Sequence, residues 1–175
     1  MKKYILARVT MLAMMAAVCM TFTACGGDSD DDGKTGPGGG ATGSAEYVEP
    51  CLDFGSSQSH VKEYMTGTAF QLSENSNEYT LLYIENNSST LINYMFINAK
   101  LHMVGVSYAV GGESKALAFK SEIEKRYGVT MTRKDDPDNY AQFIYTCTVT
   151  INQRQVAIVM NCYAQGINII YGLPD

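Results

Sequence analysis

From Gln142 to Ile151 the chain alternates without a break. Phe143, Tyr145, Cys147, Val149 and Ile151 are apolar, and the residues between them are mostly Thr and Gln. Successive side chains of a strand point to opposite sides, so this period of two describes a strand with one buried and one wet face, which is the habit of antiparallel sheets. Val156, Ile158, Met160 and Cys162 continue the pattern after a polar break near Gln153-Arg154. The two runs therefore predict a hairpin with a matched apolar side. Setting Ile151 opposite Val156 puts Cys147 opposite Met160 and Cys162 opposite Tyr145, so the two cysteines are diagonal neighbours, a marginal spacing for a disulfide. Gln165-Gly166 turns the chain again, and Ile167 to Tyr171 reads as the last strand.

The same habit occurs earlier. Tyr79 to Glu85 is β-rich and ends in the turn cluster Asn86-Asn87-Ser88-Ser89. Leu91 to Ile97 and Lys100 to Val110 flank Asn98-Ala99, a two-residue tip. With Ile97 opposite Lys100, Phe96 faces Leu101 and Tyr94 faces Met103. Two helices interrupt the strands. Ser57 to Met65 starts at a capping serine, shows Val61, Tyr64 and Met65 on one face, and stops at Gly67. Ala116, Phe119, Ile123 and Tyr127 form a second stripe that ends at Gly128, with Lys120–Glu124 and Glu122–Arg126 spaced for i,i+4 pairs on the outside. The expected class is α+β: an antiparallel sheet with short helices packed on one face. Gly67 and Gly128 lie 61 apart, as do Tyr79 and Tyr140, so residues 57–110 and 114–171 look like two α-plus-β units, each a helix and three strands. Chance spacing is the competing explanation.

The N-terminus carries a different kind of signal. Lys2, Lys3 and Arg8 precede an apolar run from Val9 to Phe22, which is shorter than the ~20 residues a membrane-spanning helix needs. This is the layout of a secretory leader. Thr23-Ala24-Cys25 then resembles the lipobox of bacterial lipoproteins, with Phe22 standing where that family prefers an aliphatic residue. The resemblance implies cleavage after residue 24 and lipid on Cys25, palmitate among its acyl chains. Each buried methylene contributes about 0.8 kcal/mol, so several chains hold a protein on a membrane. Asp28-Ser29-Asp30-Asp31-Asp32 resembles the acidic export signal of Bacteroidota lipoproteins displayed on the cell surface. Residues 33–45 are rich in Gly and lack an apolar face, so 25–46 reads as a tether with a mean reach of roughly 25 Å. That leaves 47–175 as the globular domain. The full chain has 13 cationic and 18 anionic side chains; without Lys2, Lys3 and Arg8, 10 face 18, a charge of −8. A nucleic-acid binder would show the opposite balance, so nucleic acid is not an expected partner.

The order of elements also resembles two families. One is the small lipoproteins that assist outer-membrane assembly, the other the tandem-module inhibitors that clamp β-lactamase. These resemblances cover 57–171 as an order of elements and transfer no residue roles.

Chemistry is sparse. His60 and His102 are the only histidines, and neither sits in a G-x-S-x-G, H-E-x-x-H, Walker or dinucleotide pattern. Each reads as a surface or half-buried residue. Cys51, Cys147 and Cys162 read as free thiols, with no clustering of ligands that spells a metal site. Asp135-Asp136-Pro137-Asp138-Asn139 is rich in oxygen but lacks the glycine and distal glutamate of a calcium loop, and Arg133-Lys134 adjoin it. No catalytic residue, cofactor or metal is expected. Tyr64, Tyr94, Tyr127 and Tyr145 are assigned to the core. Tyr79, Tyr108, Tyr140 and Tyr163 are left as surface candidates for a glycan platform, which the absence of Trp disfavours. The expectation is a non-catalytic envelope lipoprotein at the outer membrane, held through its N-terminal lipid and facing the outside, that binds a protein. The candidate binding loops are Asn86, Asn87, Asp135, Asp136 and Asp138. Inhibition of a hydrolase and glycan binding are the alternatives.

Overall fold

The computed structural model describes residues 46–86, 89–136 and 141–174. The elements in order are α1 (Gln58–Met65), β1 (Phe70–Leu72), β2 (Thr80–Glu85), β3 (Thr90–Ile97), β4 (Lys100–Tyr108), α2 (Glu113–Tyr127), β5 (Thr132–Lys134), β6 (Phe143–Ile151), β7 (Arg154–Cys162) and β8 (Ile167–Gly172). All eight described strands join one antiparallel sheet in the order β1-β2-β3-β4-β8-β7-β6-β5. Each half is a helix followed by four strands, one more than the sequence pattern indicates. The extra strands, β1 and β5, have three residues each and lie at the two edges, too short to show a period.

Local chemistry accounts for the helix ends. Ser57 Oγ accepts from the His60 N–H at the start of α1. α2 has Glu113 in its first turn and Lys125 and Arg126 in its last, charges that complement the helix dipole, and Gly128 closes it in the left-handed conformation. Lys120–Glu124 (2.7 Å) and Glu122–Arg126 (3.7 Å) form the expected pairs. Gly111 precedes α2 for a steric reason. A Cβ there would stand 2.5 Å from the Ala164 carbonyl oxygen and 2.6 Å from the Gly166 nitrogen, so the β4–α2 link lies directly on the β7–β8 turn.

The hairpin tips fix the registers. Asn98 and Ala99 both have positive φ, which twists the turn with its strands. Ile97 faces Lys100 and Phe96 faces Leu101, as the pattern predicts. Beyond that point the register shifts. His102 is an extra residue in β4, so Tyr94 faces Val104 and Met95 faces Met103. The bulge keeps Leu101 and Val104 on the buried side together. In the second hairpin the tip is Asn152-Gln153, again at positive φ, and Ile151 faces Arg154. This corrects the expected pairing by two residues. Cys147 faces Ile158, Cys162 faces Phe143, and the thiols of Cys51, Cys147 and Cys162 are free. Burial pushes the Cys147 thiol up to about 11 and the Cys162 thiol up to about 12.

Both described helices pack on one face. Val61 and Met65 of α1 and Ala116, Phe119 and Ile123 of α2 share a single cluster with the inward side chains of β2–β4 and β6–β8. The Phe119 ring lies 4.5 Å from Tyr108, and Lys120 sits over the Tyr145 ring. Tyr94, Val104, Tyr171, Ile158 and Cys147 form one cross-strand row of this face. Tyrosine hydroxyls tie the segment before α1 into the core. Val48 N–H donates to Tyr108 Oη at 2.9 Å, and Cys51 N–H donates to Tyr94 Oη at 3.1 Å, which itself donates to Met65 Sδ. Tyr47 donates to Glu49, accepts from Tyr171 at 2.7 Å, and shares Glu49 with Tyr127 and Arg126. Burial raises the hydroxyl pKa of Tyr47, Tyr94, Tyr108, Tyr127 and Tyr171 above the ordinary tyrosine value. Two tyrosines depart from expectation. Tyr108 is buried by Phe119 rather than exposed, and Tyr64 is 47% exposed because a helix of two turns turns only Val61 and Met65 inward. Tyr79 is exposed and Tyr163 half-buried, while Tyr140 lies outside the described residues.

Candidate functional site

Cys25, Asp28, Ser29, Asp30, Asp31 and Asp32 lie outside the described residues, as do Asn87 and Asp138. Among the described residues no helix is long and apolar enough to cross a membrane. The remaining loop candidates are not brought together. Asn86 follows β2 near one edge of the sheet and is exposed. Asp135 and Asp136 follow β5 at the opposite edge. Asp136 Oδ2 accepts from the Ala141 N–H at 2.7 Å, so this carboxylate closes its own loop. His102 is half-buried at the β4 bulge.

Two other places hold more. The first is the sheet face opposite the helices, which no described helix covers. The registers align its side chains in three rows. One runs Ile84, Leu91, Ser107, Asn168, Asn161, Ile144; the next Leu82, Asn93, Gly105, Ile170, Val159, Thr146; the third Thr80, Met95, Met103, Gly172, Ala157, Thr148. Most are half-buried aliphatic, amide or hydroxyl side chains, and the first row continues to the exposed Lys134 on β5. Asn93 Oδ1 and Asn168 Oδ1 are buried and accept no hydrogen bond. A buried acceptor without a donor costs roughly 1–3 kcal/mol. Near the β5 edge the face dips into an open depression of about 360 Å³, lined by Thr132, Lys134, Thr146, Thr148 and Val159 among others.

The second place is the turn before α1. The Ser56 N–H bonds the Asp53 carbonyl at 3.0 Å, and Gly55 takes φ +89° to complete the bend. Two backbone hydrogen bonds of 2.8 Å, Gly55 N–H to Leu101 O and Leu101 N–H to Ser56 O, pin the turn to the start of β4. His60, in the first turn of α1, then meets Asp53: Nε2 lies 2.7 Å from Oδ2. Asn152, from the tip of the β6–β7 hairpin, donates to Asp53 Oδ1 at 2.7 Å. The Cys51 sulfur completes the group; ligand atoms of Cys51, Asp53 and His60 all lie within 4.8 Å of one another. Burial holds the Cys51 thiol above its ordinary pKa, partly opposed by a hydrogen bond from the Asp53 backbone. Carboxylate, imidazole and thiol thus converge where the sequence pattern points to isolated residues. The signal was local and small: three ligand types within ten residues, with a serine cap at Ser57 that sets His60 in the first turn of α1.

Compared with known proteins, the chain matches no family model, no curated protein and no solved structure.

Proposed function

We propose that the protein is a lipid-anchored envelope lipoprotein whose folded domain is a non-catalytic module that binds another protein through the helix-free face of its sheet. The observation that carries this reading is the pair of buried, unpartnered amide oxygens, Asn93 Oδ1 and Asn168 Oδ1, on a mostly half-buried face that carries Lys134 at its β5 edge. A partner that donates to them recovers the lost hydrogen bonds, and the aliphatic rows around them supply area for burial. The leader, Cys25 and the acidic run from Asp28 to Asp32 support an outer-membrane location with the domain outside the cell. The two halves, each a helix and four strands meeting at the β4–β8 pair, support an origin by duplication of one unit.

The test pairs two substitutions in the full chain. Thr146→Arg puts a charge on the helix-free face, and Leu117→Arg puts one on the exposed side of α2. In pull-downs from detergent-solubilised envelopes, wild type and Leu117→Arg are expected to retain the same partner and Thr146→Arg to lose it. Retention by all three overturns the face assignment. Protease shaving of intact cells tests location. Wild type should be cleaved, and a variant with Asp28, Asp30, Asp31 and Asp32 changed to Ala should be protected; protection of both places the domain in the periplasm. A soluble Cys25→Ser chain that blocks a hydrolase stoichiometrically would identify the partner as an enzyme.

A further inference from the structure

The turn that leads into α1 has the make-up of a cation site. We propose that Cys51 Sγ, the Asp53 carboxylate and a His60 ring nitrogen bind one borderline-soft divalent cation, Zn²⁺ by ligand chemistry, leaving a fourth position to water. Geometry and donor chemistry support this. The three ligand atoms already lie within 4.8 Å of one another. Tetrahedral zinc with bonds of about 2.0–2.3 Å sets its ligands roughly 3.3–3.6 Å apart, so the site needs only small side-chain shifts. The donor set of one sulfur, one nitrogen and one oxygen suits zinc and disfavours magnesium or calcium, which take oxygen.

The surroundings are those a ligating group requires. Asn152 already holds the second oxygen of Asp53 at 2.7 Å, which orients the carboxylate from outside the ligand shell. The Cys51 backbone is fixed by Tyr94, and the turn is fixed by Leu101. Arg154 lies against Gly55, so the β6–β7 hairpin braces the loop as well. Access is open at one side only: the Asp53 and His60 side chains are 46% and 48% exposed, whereas Cys51 is buried. Binding is balanced in charge. The thiol gives its proton to solvent, and thiolate, carboxylate and neutral imidazole then surround a dication with no net charge. The ion takes the place of the His60–Asp53 hydrogen bond.

The full chain, reduced and in detergent, is titrated with Co²⁺ as the spectroscopic stand-in and then with Zn²⁺ against a chromophoric chelator. The expected result is one equivalent bound, with a thiolate-to-Co²⁺ charge-transfer band in the near ultraviolet that Zn²⁺ abolishes by displacement. Cys51→Ser removes the band, and Cys147→Ser keeps it. His60→Gln and Asp53→Asn, at partly exposed side chains, each weaken affinity at least about a hundredfold. Asn152→Gly, a residue suited to the positive φ of that turn, weakens it roughly tenfold. A band that survives Cys51→Ser overturns the proposal, and so does Zn²⁺ affinity unchanged by His60→Gln or no charge-transfer band in wild type.

Discussion

Ile158 and Val159 are neighbours in β7 with opposite surroundings. Ile158 is fully buried between Tyr171 and Cys147 under the helices; Val159 is half-buried between Ile170 and Thr146 on the face the helices leave free. The contrast holds for the whole sheet. The helix side is closed and aromatic, and its buried tyrosines 94, 108 and 171 each have a hydrogen-bond partner for the hydroxyl. The other side mixes aliphatics with amides and leaves two amide oxygens unsatisfied. One face is finished by the chain itself, and the other is not. If the proposed reading holds, stability and binding are separable along a single strand.

The largest effect that separates the faces is expected at high pH. Tyr47, Tyr94, Tyr108, Tyr127 and Tyr171 all hold their protons more tightly folded than unfolded. Their contribution is complete below the unfolded value of about 10 and falls as pH rises beyond it. Tyrosinate absorbance of these five should appear together with loss of secondary structure above pH ~10. Five residues ionising one by one in an intact fold would contradict the closed face. Next comes Ile158→Ala, which should cost about 2–5 kcal/mol in denaturant unfolding, against less than about 1 kcal/mol for Val159→Ala. Equal losses would erase the distinction. Tyr94→Phe leaves the Cys51 N–H unpaired and should cost about 1–2 kcal/mol. Asn93→Leu is the smallest change: it removes an unpartnered oxygen, so stability should shift by less than about 1 kcal/mol while partner binding drops.

Much of this was legible in the chain. Period-two alternation marks the inward residues of β6 and β7, and the i, i+3, i+7 stripe marks those of α2, because burial on one side imposes those periods. Asn98-Ala99 marks its own turn. Other features were not legible. A bulge such as the one at His102 adds a residue without altering composition, so Tyr94 paired with Val104 instead of Met103. A tip that moves by one residue shifts the pairing by two, keeps the same side chains inward and moves Cys147 opposite Ile158. Tyr64 and Tyr108 exchanged their expected exposures because a tyrosine fits either environment, and the neighbour decides. The Cys51–Asp53–His60 group was hidden for a related reason. Each residue alone reads as ordinary, and only the bend at Gly55 and the Ser57 cap turn them toward one point. The helix-free face was visible as the wet side of an alternating strand, but its unpaired amides come from three-dimensional register alone.

The most direct measurement places a photo-crosslinking amino acid at Met95 or Thr148 on the helix-free face, and at Leu117 on the outer side of α2, in cells that make the full chain. Adducts of one and the same protein from Met95 and Thr148, with none from Leu117, are the predicted result. Adducts from Leu117 alone, or equally from all three positions, would contradict the assignment of binding to the unfinished face.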